Sequence, residues 1–466
     1  MGNKYSKLIK NTTIFAIGTF GSKILSFLII PLYTYYLSTS EYGNIDLFTT
    51  SINLLVPFVT LMIQEACIRF MVTKEIPQKT ILNNCLLTFF LGCVITISLI
   101  PVYSKMFSNK WMVVSFVFLL SITSYNTIFS QYLRGCNKNV AFSINGIIVT
   151  FVTVFSNLLL IVRYSLGVQG YIISLILAQA IASVQATICG KVLENICFKC
   201  IDLNSLKKML AYSLPLVPSN LMWWIMNAGD KYVINYYLGD SSNGIYSIAM
   251  KIPTVLSLMY TIFMQAWQLS ALDELNSDAR SEFYDQVFSY TSALLLLGTS
   301  IIIALAEPLF SLVFNPEYYT AWKYIPLLCI ATLINCAASF FGITYTINKN
   351  SKKSLVTTLF GAVSNLVFNF ILIKTYGLFG VVIGTIIGYA VVLYMRALDA
   401  HRQLKMSFTI KKTFPSFLLV IIQASIVSVI GDSTNVIAIK IVPIVLIVFI
   451  YHKDIKAIIK KLQKKC

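Results

Sequence analysis

The chain has 466 residues, of which 57% are hydrophobic and 12% are charged, and its formal net charge is +18. So few charged residues cannot cover a soluble protein of this length, which excludes a soluble fold. The lysines and arginines lie mainly between long apolar runs, where membrane topology accounts for them, so nucleic acid is excluded as a partner. The apolar runs, at about 20 residues, are long enough to cross a bilayer and are continuously apolar, which indicates helices rather than barrel strands.

Apolar runs separated by charges and turn residues predict an all-α polytopic membrane protein with about fourteen transmembrane helices. The first six predicted helices are 11–37, 43–66, 82–103, 111–133, 140–162 and 167–190. The next six are 209–237, 243–267, 284–305, 321–347, 353–373 and 377–396. The last two are 413–431 and 434–451.

No polar interruption between these helices is long enough to fold as a soluble domain. We therefore predict a six-helix lobe over 1–200, a second six-helix lobe over 201–405, and two trailing helices with a basic cytoplasmic tail over 406–466. The tail lysines after position 452 are expected to attract anionic membrane lipids.

The distribution of basic residues predicts the orientation of the chain. Most of the 36 Lys and Arg fall in alternate loops that share one side of the membrane with both termini. The loops on the other side hold only Lys105, Lys110, Arg163, Lys323 and Lys374. By the positive-inside rule, both termini are cytoplasmic.

The two predicted lobes carry similar short sequences in the same order. Tyr35-Tyr36-Leu37 with Gly43 matches Tyr236-Tyr237-Leu238 with Gly244, and Gly167-x-x-Gly170 matches Gly377-x-x-Gly380. Six predicted spans separate the members of each pair, so the two copies have the same orientation. This pattern predicts parallel repeats related by a pseudo-two-fold axis along the membrane normal, with the substrate path between them.

Basic residues inside or at the ends of spans are the candidates for binding an anionic substrate. Lys23, Lys231 and Lys251 lie in predicted spans, where a charge usually faces the bundle interior or water. Arg69 and Arg134 lie at the predicted inner mouth. The alternative for the lysines is snorkelling to an interface, and for the arginines it is a role as topology anchors.

Two acidic residues and two prolines complete the candidate residues. Asp46 and Asp230 lie in spans, where each would pair with a lysine or bind a coupling proton or sodium ion; for Asp46 the alternative is ordinary exposure at the interface. Pro215 and Pro218 remove backbone donors from one span, which predicts either a hinge or a static kink.

The sequence has no arrangement typical of an enzyme or a metal site. Cys197-x-x-Cys200 has no second cysteine pair or nearby histidine that would complete a zinc site, so these cysteines are interpreted as incidental. No catalytic triad, paired-carboxylate or phosphate-loop arrangement is present. We expect no catalytic residue, no metal and no cofactor.

Several segments in consistent order resemble the polysaccharide-biosynthesis (Wzx-type) flippases of the superfamily that also contains multidrug exporters and the lipid II flippase. These segments are 24–33, 37–43, 212–218, 244–252 and 314–321, and Asp230-Lys231 stands where the family usually has Asp-Arg. A lysine keeps the charge but lacks the two-pronged guanidinium, which weakens the case for a phosphate clamp there.

The resemblance implies a function, a location and partners. Such proteins move undecaprenyl-pyrophosphate-linked oligosaccharides from the inner to the outer leaflet of the bacterial cytoplasmic membrane, by alternating access of a central cavity. The products are capsule, exopolysaccharide or O-antigen, and the implied partners are a polysaccharide polymerase and glycosyltransferases.

Two other functions are weighed against this one. An ion-coupled multidrug exporter of the same superfamily would favour carboxylates in its cavity, whereas the candidate cavity residues within spans are three lysines and two aspartates. An integral-membrane polymerase or glycosyltransferase would carry a large polar loop with catalytic groups, and no loop of that size is present.

Overall fold

The computed structural model describes Gly21 and residues 25–107, 109–273, 280–347, 350–404, 410–430 and 436–452. Within these residues the chain is helical, with short turns and no strand. It forms two compact units, Met1–Leu221 and Met222–Cys466. The division into two lobes, 1–200 and 201–405, and a trailing segment, 406–466, remains a prediction.

The helices of the first unit follow one another with short connections. They are α1 (Ile30–Tyr36), α2 (Thr39–Thr60), α3 (Ile63–Thr73), α4 (Gln78–Ser98), α5 (Ile100–Met106), α6 (Lys110–Gly135), α7 (Asn139–Asn157), α8 (Gly167–Gly190) and α9 (Leu203–Ser213). A π-helical turn, Leu158–Arg163, continues α7.

The helices of the second unit are longer, and the first of them begins in the last residues of the first unit. They are α10 (Leu216–Asp273), α11 (Arg280–Val313), α12 (Ile325–Phe341), α13 (Ile343–Ile347), α14 (Ser351–Tyr376), α15 (Leu378–Leu404), α16 (Ile410–Ile430) and α17 (Val436–Ile450). Gly239 has φ 80° and divides α10 into two helices.

Polar side chains fix where helices begin. Ser38 Oγ accepts from the Glu41 N–H at 3.2 Å while the Glu41 carboxylate accepts from the Ser38 N–H at 2.9 Å, a capping box that starts α2. Asp202 accepts from the N–H groups of Asn204 and Ser205 at 3.1 and 3.0 Å and starts α9. These caps satisfy N–H groups that have no partner within the helix.

The backbone changes direction between α2 and α3. Leu61 and Met62 have φ values of 50° and 55°, in the left-handed region that non-glycine residues rarely adopt. The two helices therefore meet at an angle of 51°.

The described residues confirm the prediction of an all-helical membrane protein. Ten helices are long and apolar enough to cross a membrane, or eleven when the bent pair α2–α3 counts as one span. The span Leu203–Met264 contains the break at Gly239, and two shorter apolar helices, Leu25–Tyr36 and Ile439–Ile450, lie outside that number. Large exposed side chains such as Phe151 and Phe360 cover the lipid-facing surface.

The segments predicted to be cytoplasmic meet at one end of the first unit. Lys138 Nζ donates to the Cys189 carbonyl at 2.7 Å, which joins the loop before α7 to the end of α8. Asn83, near the start of α4, donates to the Asn195 carbonyl at 3.1 Å. The basic loops of this unit therefore share one side, although which side is cytoplasmic remains a prediction.

The two trailing helices α16 and α17 make polar contacts with α11. Ser300 Oγ donates to Gln423 Oε1 at 2.7 Å, and Gln423 Nε2 donates to the Ser300 carbonyl at 3.2 Å. Lys440 of α17 forms an ion pair with the buried Glu307 at 2.5 Å. Because removal of one member of a buried ion pair is strongly destabilising, these contacts hold the trailing helices on the second unit.

Candidate functional site

A buried carboxylate lies at the centre of the polar groups in the second unit. Asp230, on the first half of α10, is 3% exposed. It accepts hydrogen bonds from Tyr246 Oη at 2.8 Å, from Thr385 Oγ1 at 2.8 Å and from Asn369 Nδ2 at 2.6 Å. Three donors aimed at one carboxyl group stabilise its ionised form within the bundle.

A second layer of polar groups surrounds this carboxylate. Asn369 Nδ2 also approaches Asn365 Oδ1 at 3.3 Å, and Asn365 Nδ2 donates to Thr385 Oγ1 at 3.4 Å. The single Thr385 proton is shared between Asp230 and the Val381 carbonyl, which lies 2.9 Å from Thr385 Oγ1. The cluster thus concentrates carboxylate, amide, hydroxyl and carbonyl oxygens, which are ligands that hard cations prefer.

Three glycines of α15 allow it to pack closely against α14, and two of them face these amides. A Cβ atom on Gly384 would lie 2.1 Å from Asn369 Oδ1, and one on Gly388 would lie 2.7 Å from Asn365 Cβ. A Cβ atom on Gly380 would lie 2.3 Å from the Leu372 carbonyl. The four-residue spacing of the glycines places them on one face of α15, where small residues allow two helices to approach closely.

Sequence reasoning identified Asp230 as an ion-coupling candidate but missed its partners. The sequence does contain a signal for these partners, because Asn365 and Asn369 are four residues apart on α14 and face the glycines of α15. Each of these asparagines, read alone, is as typical of helix–helix contacts as of a binding site.

A buried guanidinium is the second feature that sequence reasoning missed. Arg396 is the last residue of the predicted helix 377–396 and was not among the candidate residues, yet it lies in α15 and is 3% exposed. It donates to Thr357 Oγ1 at 3.3 Å, Thr358 Oγ1 at 3.1 Å and the Ala338 carbonyl at 3.2 Å. No carboxylate pairs with it in the part of the chain that the structure describes. The helix α15 continues beyond the predicted end at position 396, to Leu404.

The predicted cations occupy different environments. Lys231 and Lys251 are half-buried on the two halves of α10. Arg69 is exposed, and its guanidinium lies 4.3 Å from the ring centre of Tyr212. Lys23 lies outside the described residues. Their role in substrate binding remains a prediction.

Arg134 and Asp46 belong to the first unit. Arg134 is exposed, donates to Gln131 Oε1 at 3.1 Å and lies over the Phe142 ring. Asp46 is 7% exposed on α2, so it is a buried group rather than an exposed interface residue. The structure therefore places the two coupling candidates, Asp46 and Asp230, in different units.

The two prolines stand at the junction of α9 and α10. Pro215 lies between the helices, and Pro218 lies in the first turn of α10, where its missing N–H has no partner to lose. Both prolines are exposed. The helix is interrupted at the prolines, as expected, whereas the use of this interruption as a hinge remains a prediction.

The architecture is a bundle of membrane-spanning helices with ionisable groups inside its spans. The chain is similar to a multidrug resistance transporter of the MATE family in an inward-facing conformation, with a TM-score of 0.67 and 16% identity over 86% of this chain and 99% of that one. It is also similar to the lipid II flippase MurJ in an inward closed conformation, with a TM-score of 0.69 and 15% identity over 97% of this chain and 99% of that one. At these identities the likeness shows the fold alone.

The family model of polysaccharide biosynthesis proteins matches residues 8–268, and the chain belongs to that family. An uncharacterized membrane protein of Methanocaldococcus jannaschii is 24% identical over 321 residues, which make up 65% of this chain. The chain spans 61% of the length of that relative.

Proposed function

We propose that this protein is a flippase that moves undecaprenyl-pyrophosphate-linked oligosaccharides from the inner to the outer leaflet for cell-surface polysaccharide synthesis. The observation that carries the proposal is membership of the polysaccharide biosynthesis family. The fold, shared with the lipid II flippase MurJ, supports it. Transport proceeds by alternating access of a cationic central cavity, with no catalytic step, in a bacterial cytoplasmic membrane with both termini inside.

The pyrophosphate of such a substrate is anionic, so its binding requires cations. Lys231 and Lys251 are the strongest candidates, because both are half-buried within spans. Lys23 is a third candidate, and in this proposal Arg69 and Arg134 meet the substrate at the entrance of the cavity. A lysine contacts phosphate as a point charge rather than as a bidentate fork, which suits a head group that must be released after translocation.

Asp230 binds the coupling cation in this proposal. Its carboxylate would either take a proton or hold a sodium ion together with oxygens of Thr385, Asn365 and the Val381 carbonyl. Asn369 Oδ1 is buried and accepts no hydrogen bond, so rotation of that amide would add one more oxygen. Asp46 is the second candidate, in the other unit.

The first experiment follows the lipid-linked sugar. Full-length protein is reconstituted in liposomes that carry a labelled undecaprenyl-pyrophosphate oligosaccharide, and a membrane-impermeant reagent measures outer-leaflet access over time. We expect rapid equilibration, slowed about tenfold by Lys231→Ala because a charge-assisted contact is lost, and partly restored by Lys231→Arg. The matched control is Lys374→Ala, which removes an exposed lysine of the same unit.

The outcomes separate the function from its site. If Lys231→Ala leaves the rate of equilibration unchanged, the flippase function is supported but Lys231 is not part of the substrate-binding site. No movement of a lipid-linked sugar, together with ion-coupled efflux of a small organic cation, would instead favour a multidrug exporter. Polymer formation by the purified protein would favour the polymerase or glycosyltransferase alternative.

The second experiment tests the coupling cation. Equilibration is measured with imposed sodium or proton gradients for the wild type, Asp230→Asn and Asp46→Asn. We expect Asp230→Asn to abolish the response to the gradient that drives the wild type. Glu194→Gln, which alters an exposed carboxylate paired with Lys191, is the control and should respond as the wild type does.

A further inference from the structure

The segment 191–202 between α8 and α9 carries a cysteine pair for which transport has no evident use. Cys197 and Cys200 are both partly exposed. The basic residues around them predict that this segment is cytoplasmic, next to the membrane. The four buried cysteines, Cys67, Cys85, Cys329 and Cys336, lie within the helices instead.

One turn of backbone holds the two cysteines close together. A 3-10 helix, Phe198–Cys200, is closed by a hydrogen bond from the Cys200 N–H to the Cys197 carbonyl at 2.9 Å. A turn closed in this way keeps its end Cα atoms within about 7 Å. Disulfides form across Cα separations of roughly 4.4–6.8 Å, so the pair can be bridged with little movement of the backbone.

The turn is fastened to the first unit by two consecutive asparagines of α4. Asn83 Oδ1 accepts from the Cys197 N–H at 2.8 Å, and Asn83 Nδ2 donates to the Asn195 carbonyl at 3.1 Å. Asn84 exchanges two hydrogen bonds with the Asp202 backbone, at 3.1 and 3.3 Å. Both asparagines are buried, so the turn is held at both ends in one arrangement.

The two thiols are chemically unequal. A hydrogen bond from the Cys200 thiol lowers the pKa of Cys197, and the N–H groups of Cys200 and Lys199 and the charge of Lys79 act in the same direction. The same contact raises the pKa of Cys200. Cys197 is therefore the more acidic thiol of the pair, and Cys200 is the less acidic one.

The pair lacks the further ligands of a metal site. Across the described ranges, no group of three or more His, Cys, Asp or Glu side chains is placed to hold a metal ion. Two thiols alone do not form a structural zinc site.

We propose that Cys197 and Cys200 form a peroxide-reactive dithiol, a site of reversible oxidation on the segment that leads from α8 to α9. The Cys197 thiolate attacks one oxygen of hydrogen peroxide, the O–O bond breaks, and the departing hydroxide takes a proton to form water. Cys197 is then a sulfenic acid. The Cys200 sulfur attacks the Cys197 sulfur, the S–O bond breaks, and a second water leaves with the Cys200 proton. Two thiols are oxidised to one disulfide, one peroxide is reduced to two waters, and a dithiol reductant reverses the change.

The test uses full-length protein in nanodiscs, reduced and then exposed to limiting hydrogen peroxide. Remaining thiols are alkylated, and peptide mass spectrometry measures each cysteine. We expect the peptide with Cys197 and Cys200 to lose two hydrogens and to become resistant to alkylation. This oxidation should be about tenfold faster than the oxidation of Cys136 or Cys189, which are partly exposed but lack a neighbour of this kind. Equal rates at these four cysteines, or a pair that stays fully alkylatable, would overturn the proposal.

Two variants separate the roles of the two thiols. In Cys200→Ser the sulfenic acid cannot be resolved, so dimedone should label Cys197; in Cys197→Ser, dimedone should label neither position 197 nor Cys200. Dimedone labelling of Cys200 in Cys197→Ser, or no labelling of Cys197 in Cys200→Ser, would contradict the assignment. Asn83→Ala, which frees one end of the turn, should slow disulfide formation several-fold without blocking the dimedone reaction.

Discussion

Two helical hairpins, α7–α8 in the first unit and α14–α15 in the second, are built on the same plan. Gly167 and Gly377, 210 positions apart, both have a positive φ, 50° and 57°. Three residues later, Gly170 and Gly380 each pack closely against the backbone of the preceding helix, at Leu160 and Leu372. In both copies, therefore, one glycine allows the left-handed backbone of the turn, and the other allows the two helices to pack closely.

The side chains at matching positions differ. Positions 385 and 396 hold Thr385 and Arg396 in α15, and the same offset gives Leu175 and Ala186 in α8. Gly384, which makes room for Asn369, corresponds to Ser174. The comparison teaches that the backbone plan of the hairpin is common to both units, whereas the hydrogen-bond partners of Asp230 and the buried Arg396 lie on the second hairpin.

The largest expected effect comes from giving the second hairpin the residue of the first at position 384. Gly384→Ser places a Cβ atom 2.1 Å from Asn369 Oδ1, so Asn369 must move away from Asp230. We expect a loss of about 1–3 kcal/mol of stability and of gradient-driven transport. Thermal unfolding and the liposome assay measure both effects.

The reciprocal change, Ser174→Gly, is the control for that substitution. It removes only a hydrogen bond from Ser174 Oγ to the Gly170 carbonyl and should leave coupling intact. Loss of coupling in Ser174→Gly as well would show that the first hairpin also carries the ion chemistry.

A smaller effect is expected from Thr385→Val, which keeps the shape of the side chain but removes its hydroxyl. Asp230 loses one donor and Asn365 loses an acceptor, so unfolding becomes easier by about 1–2 kcal/mol. The concentration of coupling cation needed for half-maximal transport should rise about tenfold, since 1.4 kcal/mol is a factor of ten. An unchanged cation dependence would remove Thr385 from the site.

The smallest expected effect on stability is that of Arg396→Met. The guanidinium is buried without a carboxylate partner among the described residues, so removing its charge also removes an unfavourable desolvation term. We expect the melting temperature to stay within a few degrees of the wild type or to rise. A loss of several kcal/mol would mean that the three hydrogen bonds of the guanidinium outweigh the cost of burying its charge.

The sequence was sufficient to predict the helical membrane fold, the repeated glycine turns and the position of Asp230 inside a span. Long apolar runs and internal repeats carry that information directly. The partners Asn365, Asn369 and Thr385 were not predicted, because their meaning depends on the rotation of α14 and α15 about their axes. The burial of Arg396 was not predicted, because composition shows where an apolar run ends but not which neighbouring helices surround its last residue.

The left-handed residues Leu61 and Met62 have a consequence for the isolated sequence. Each such residue costs roughly 1–2 kcal/mol relative to a helical one, and in the intact protein the packing of Ile63, Ala66 and Cys67 into a fully buried cluster offsets that cost. A synthetic peptide of residues 39–73 lacks that cluster, so in detergent micelles it should form one uninterrupted helix. The surrounding helices would then impose the bend. Amide NMR spectra should show the bend only when the peptide is combined with the remainder of the first unit.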